Sequence, residues 1–224
     1  MPEVSNLSLN IGDKIVQTTP FVCNLSVYMD THLAMDEQVS RICKSTWYHI
    51  RRVGQLRKYL DQPAIEKLIH AVISSRLDYA NSLLFGVPAT QLSRLQRIQN
   101  TAARIVHRVS KFTPITPILE ELHWLPINIR INYKLLILVF RAIKTGTPGY
   151  INSMLQPNTT NRPSRTQYQF QLRVPMSRTK TFGDRSFQCA APRLWNSLPV
   201  DLKSLNSLDQ FRCRLKTYLF SQYY

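Results

Sequence analysis

The chain has 224 residues, of which 44% are hydrophobic, and it carries a formal net charge of +16. That is enough apolar material for one or two small cores and too much for a disordered tail. The charge points to polyanionic partners, nucleic acid or an anionic membrane surface, ahead of any acidic small substrate.

Leu7 to Val27 alternates apolar and polar residues around Gly12-Asp13 and resumes after Pro20, which predicts a small β-hairpin or meander. A first helix is expected from about Leu33 to Leu60, with Val39, Ile42, Thr46, Ile50, Val53 and Leu60 inward and Gly54 a weak point. Arg51, Arg52, Arg57 and Lys58 gather near its end. Cations there suit the negative end of the helix dipole and equally suit a phosphate backbone. Asp61 is placed to cap a second helix with Pro63 in its first turn and an apolar stripe running towards Gly86.

The third helix, Leu92 to Lys111, has the clearest pattern. Leu92, Leu95, Ile98, Ala102, Ile105, Val106 and Val109 share one face, whereas Arg94, Arg97, Arg104, Arg108 and Lys111 fall within an arc of about 100° roughly opposite. A solvated helix face is one reading of that ridge. However, the segment contains no acid, so its cations have no i,i+4 partners and repel one another until a polyanion relieves them. Three helices joined by short connections favour a compact antiparallel bundle.

Beyond Phe112, Thr116-Pro117 opens a short helical turn, Asn128 is expected to cap a helix from Ile129 to Lys144 stopped by Gly146, and Thr147-Pro148 starts one more through Leu155. HWLP, His123 to Pro126, reads as a buried tryptophan over a turn. Gln156 to Gln169 has little to bury and reads as a linker. FQLRVP and RTKTFGD then suggest two short strands, SFQCAAPRLWNSLP a helix broken by Pro192, and Ser207 caps a last helix with Leu208, Phe211, Leu215 and Leu219 inward.

The charge is spread through these patterned segments. Residues 33–111 carry 13 Lys+Arg against 5 Asp+Glu, and residues 156–224 carry 11 against 3, a surplus of +8 in each. A folded cationic surface fits this better than a detachable basic tail. Cys23, Cys43, Cys189 and Cys213 are widely spread without a CxxC pair, which argues for reduced, mostly buried thiols and against a structural zinc site. No leader pattern opens the sequence, and the apolar run Leu135 to Phe140 is far too short to span a bilayer. The expected location is therefore intracellular, nucleus or cytoplasm, with no membrane partner.

Two-metal polymerase or nuclease chemistry requires clustered carboxylates. The only adjacent acid pairs are Asp36-Glu37 and Glu120-Glu121, both at expected helix starts where acids favour the dipole. Asp78 and Asp184 lie beside Arg76 and Arg185, which suggests local ion pairs. Phosphate-loop, dinucleotide-binding, HExxH and GxSxG motifs are absent. The expectation is a chain that is not an enzyme by itself, without metal, cofactor or small-molecule substrate.

Six segments taken together carry a resemblance. NLSVYMD (Asn24 to Asp30), SRLDYANSLLFGVP (Ser75 to Pro88), LQRIQNTAARIV (Leu95 to Val106), ELHWLP (Glu121 to Pro126), TFGDRSF (Thr181 to Phe187) and APRLWNSLP (Ala191 to Pro199) resemble, in order, the region after the catalytic motifs in reverse transcriptases of LINE-type non-LTR retrotransposons. The resemblance implies a fold that is mainly α: residues 1–32 a β-hairpin from the end of the palm, 33–155 a helical thumb-like bundle, 156–169 a linker, and 170–224 a small α+β C-terminal extension. It makes Asn24, Leu25 and Val27 the remains of a primer grip, with Ser26 standing where the family has glycine. It gives Arg94, Arg97, Arg104, Arg108, Lys111, Arg51 and Arg52 a role on the phosphates of RNA, an RNA–DNA hybrid or DNA. The paired aspartates of the family lie upstream of Met1, so the expected protein is a truncated, non-catalytic nucleic-acid binder. A palm supplied in trans, a protein-interaction module and an unselected relic are the alternatives.

Overall fold

The computed structural model describes residues 8–158, 170–179 and 182–224. Two antiparallel hairpins come first: β1 (Ser8–Ile11) with β2 (Lys14–Gln17), and β3 (Phe21–Asn24) with β4 (Val27–Asp30). Gly12 turns the first at φ 58, a conformation glycine adopts without steric penalty. The second turn uses Leu25 at φ 47 and Ser26 at φ 62, with Asn24 opposite Val27. Positive φ at both central residues is the geometry of a tight hairpin turn, here reached without glycine. Val27 is buried, and β4 packs on the first helix.

That helix, α1 (Asp36–Leu56), is positioned by Asp30. Its carboxylate accepts from the backbone N–H groups of His32 at 3.0 Å, Ala34 at 2.8 Å and Met35 at 2.7 Å. Partial burial works to raise its pKa, but these three donors outweigh it and hold the carboxyl below its ordinary value. α2 (Gln62–Ile69) begins at Asp61, whose side chain accepts from Ala64 N–H at 2.9 Å. The stripe expected to run on to Gly86 is instead divided into a π-helical turn (His70–Ser74), α3 (Ser75–Asp78) and a 3₁₀ turn (Asn81–Leu84). Helical geometry breaks at Tyr79 and Ala80, where Ala80 takes φ 49 and the Tyr79 hydroxyl reaches back to donate to Leu25 O at 2.6 Å.

α4 (Ala89–His107) follows Pro88, then α5 (Thr116–Glu121) and α6 (Ile127–Thr145). α6 starts earlier than expected, so Asn128 lies inside it and does not cap it. The Ile127 N–H is taken by Gln96 Oε1 of α4 at 2.9 Å, and Gln99 Nε2 donates to Leu125 O at 2.9 Å. A facing helix thus supplies the cap. Gly146 ends α6 at φ 67 as expected, and α7 (Gly149–Met154) follows. Trp124 is buried, in keeping with a turn-packing role. Glu120-Glu121 closes α5 and does not open a helix, and the Glu121 carboxylate lies 3.8 Å from His107.

α6 belongs to two cores. Ile127, Ile131 and Leu135 pack with α1 through α5, whereas Leu136, Val139, Phe140 and Ala142 pack with α8 (Phe187–Asn196), α9 (Val200–Lys203) and α10 (Leu208–Tyr223). Phe140 stacks on Phe211 at 4.1 Å between ring centroids, with Trp195 beside both. Pro192 does not break α8, which continues through it with Ala191 and Trp195 buried on either side. Ser207 caps α10 as expected. Of the two expected C-terminal strands, Phe170 to Pro175 makes a single bridge, Leu172 with Pro157. The RTKTFGD segment lies partly outside the described residues, as does most of the expected linker.

The 170–173 stretch is held by side chains of α8. Trp195 Nε1 donates to Phe170 O at 2.7 Å, and Asn196 exchanges two bonds with the Leu172 backbone, at 2.9 and 2.8 Å. Cys43 and Cys189 are buried and Cys23 and Cys213 exposed, all four free.

Because the two cores share α6, urea should unfold the chain in one transition. Phe211→Ala should lower its stability by about 3–5 kcal/mol without splitting that transition, as read by far-UV circular dichroism. Asp30 contributes stability above the ordinary carboxylate range, and that contribution is lost as pH falls through its depressed folded value. Asp30→Asn should therefore cost roughly 1–2 kcal/mol at neutral pH and make the acid limb of the stability profile shallower.

Candidate nucleic-acid interface

α1 and α4 are neighbours and run parallel. Arg94 donates to Ser40 Oγ at 3.0 Å near their N-terminal ends, and Arg108 donates to Arg57 O at 3.2 Å and to Leu60 O near their C-terminal ends. Buried Val39, Ile42, Thr46, Ile50 and Val53 fix the inward side of α1. At 100° per residue, Arg41, Lys44, Tyr48, Arg51 and Arg52 then occupy an outward arc of about 100°. Lys44, Arg51 and the partly exposed Trp47 lie on the edge of that arc nearest α4.

The five-residue ridge of α4 is not a row of free cations. Arg104 donates to Thr113 O at 3.1 Å, tying the segment after the helix back to it. Arg94 is held by Gln91 and Ser40. Arg108 lies past the last residue of the helix, at φ 55, and closes the end of α1. Lys111 is also beyond the helix, with its Nζ 4.9 Å from the Phe112 ring centroid. Arg97 is the ridge residue whose guanidinium is exposed and meets no partner among the described residues. A guanidinium carries five N–H donors, so the exposed Arg108 still offers some of its own to solvent.

Arg51 is exposed and has no partner among the described residues, while Arg52 reaches Tyr48 Oη at 3.3 Å. Sequence reasoning missed Arg41, Lys44 and Arg76. The first two share the 3.6-residue period of Arg51 and Arg52, which was the available signal. Arg76 is brought to α1 only by the fold, donating to Ser45 Oγ at 3.1 Å.

The grip-like turn joins this surface. Asn24 and Leu25 are exposed, Leu25 with 81% of its surface, whereas Val27 is buried and cannot be a contact residue. Beside the turn a depression of about 440 Å³ is lined by Ser26, Tyr28, Arg41, Ser45, Arg76 and Tyr79, among others. Arg41 stands 3.8 Å over the Tyr28 ring and binds Glu37 at 2.6 Å.

Apart from Asp36 and Glu37 at the start of α1, the nearby carboxylates are committed elsewhere. Asp78 pairs with Arg130 of α6, not with Arg76, the Arg130 Nε–Asp78 Oδ1 distance being 2.9 Å. Asp184 pairs with Arg193 at 2.7 Å, which leaves Arg185 to donate to Phe85 O and Leu33 O. Asp36 accepts from Gln91 at one end of the α1–α4 pair, and residues 38–60 and 79–119 contain no acid. Among the described residues no helix is long and apolar enough to cross a membrane.

The difference between structural and free arginines is measurable. Arg104→Met, which keeps the aliphatic stem and removes the donors to Thr113, should cost about 1–2 kcal/mol in a urea unfolding titration. Arg97→Met should stay within about 0.5 kcal/mol of the parent.

No protein-family model matches the chain, and comparisons with curated proteins and with solved structures return no match either.

Proposed function

We propose that the chain is a non-catalytic, reverse-transcriptase-like protein of non-LTR retrotransposon type that binds nucleic-acid backbone without reading sequence. The observation that carries this reading is the pair of parallel helices, α1 and α4, acid-free beyond the Asp36-Glu37 start of α1, with Lys44, Arg51 and Arg97 exposed on them and Arg108 exposed just past α4. Neighbouring like charges raise the free energy of the isolated protein, and condensing them on phosphates releases counterions from the nucleic acid. Arg52 and Lys111 extend the surface, and Arg94 and Arg104 contribute field more than contact. The exposed Asn24 and Leu25 at the hairpin tip stand beside it. Main-chain and phosphate contacts of this type position a duplex and leave base edges unread.

Lys44→Gln, Arg51→Gln and Arg97→Gln together should weaken binding to single-stranded RNA, duplex DNA and an RNA–DNA hybrid alike. Fluorescence anisotropy across a salt series should show the log–log slope on duplex DNA shallower by about 2–3, roughly 0.9 per lost phosphate contact. An unchanged affinity and slope would remove the surface from the proposal.

A second reading, a protein-interaction module, draws on one observation. Leu9, Ile11 and Val16 share a face of the first hairpin and are each at least half exposed. Concentration-dependent self-association in light scattering, without nucleic-acid binding, would favour that reading.

A further inference from the structure

A second cationic concavity lies away from this surface, and none of its lining residues belongs to α1 or α4. It is a cavity of about 250 Å³ where α10 crosses the start of α6, below the turn that joins α5 to α6. Its charged lining is Asp78, Arg130, Lys134 and Lys216. Asp78 and Arg130 neutralise each other. Lys134, one turn beyond Arg130 on α6, and Lys216 of α10 are exposed and have no partner among the described residues. Two positive charges are therefore left without anions.

The other walls are rings: His123, Trp124 and Tyr133. His123 adopts φ 54, a conformation disfavoured for a non-glycine residue, and stacks on Phe220 at 5.3 Å. The Trp124 indole is buried, and its Nε1–H meets no acceptor among the described residues. Burial pushes the Tyr133 hydroxyl up, so it remains a proton donor at neutral pH. His70, the first residue of the π-helical turn, completes one side. Single π turns inside α-helices recur at functional sites, and an unmet buried donor is a rare feature in a folded protein.

We propose that this cavity binds a phosphate monoester, with Lys134 and Lys216 on the phosphate and the rings against the sugar or base. A monoester carries close to two negative charges at neutral pH and matches the surplus of two lysines. A carboxylate, or a diester inside a nucleic-acid strand, brings only one. The volume suits a phosphate with its first attached ring, not a dinucleotide. Free nucleotides and the phosphorylated end of a strand share this chemistry. The proposal is independent of backbone binding by the α1–α4 surface.

The test is calorimetric titration of the full chain with adenosine 5′-monophosphate, with adenosine as the uncharged control. Saturable binding of the monophosphate is expected, with adenosine at least about tenfold weaker. Lys134→Gln/Lys216→Gln should lose about tenfold in affinity, and Arg97→Gln should lose none. Both lysines are exposed, so the double variant should keep the parent circular dichroism spectrum. Equal affinity for the two ligands, equal affinity of parent and double variant, or no saturable binding by about 10 mM would overturn the proposal. A trinucleotide with and without a 5′-phosphate separates the sources. A gain from the phosphate that the double variant abolishes assigns the site to strand ends, and monophosphate binding without such a gain assigns it to free nucleotides.

Discussion

The N-terminus of α6 is the point on which the rest of the structure depends. Three separate stretches meet there: Asp78 and Asn81 before α4, Gln96 and Gln99 on α4, and the HWLP turn itself. A helix start leaves N–H groups without intrahelical partners, and burying them unmet would cost more than most single contacts return. Gln96 meets one of them, and Gln99, almost fully buried, meets a carbonyl of the turn. Arg130, in the first turn of α6, is neutralised by Asp78. With its start fixed by polar bonds, α6 can present one end to each of two hydrophobic clusters.

The same arrangement explains why the C-terminal helices are not an appendage. Phe140, Trp195 and Phe211 form one aromatic cluster across three helices, and Tyr224 at the end of α10 donates to Trp124 O at 3.0 Å. Burial, with Tyr223 and Glu120 nearby, pushes that hydroxyl's pKa up to about 12, so the bond persists across the physiological range. A second long tie closes the molecule elsewhere: Arg185 lies over Gly86, where any Cβ would come within 2.5 Å of the arginine Cγ. Gly86 thus serves both its positive φ and a close approach.

Arginine has two uses in this chain. Where its fork reaches main-chain carbonyls, as Arg104 and Arg108 do, it closes chain ends that would otherwise need water. Where no carbonyl among the described residues is in reach, as at Arg51 and Arg97, the charge stays on the surface. Helical periodicity cannot distinguish the two, because both kinds point away from the apolar face of their own helix. Lys203 reaches a main-chain carbonyl with a single ammonium: almost fully buried, it donates to Asn196 O at 3.0 Å at the end of α8.

The sequence by itself determined the helical class, the hairpins, the caps at Asp61 and Ser207, the stop at Gly146 and the inward faces of α1, α4 and α10. These features depend on neighbours within a few residues, where periodicity and capping chemistry operate. Only the tertiary structure decided which of the ridge cations remain free, that Asp78 belongs to Arg130, that Gln96 caps α6 in place of Asn128, and that Val27 is buried. It also decided that Pro192 stays within a helix and that the FQLRVP stretch, bridged to Pro157 at Leu172 alone, is held by Trp195 and Asn196. Each of these depends on a group tens of residues away in the chain. A side chain's nearest acceptor or packing partner is set by the fold, and local pattern carries no record of it.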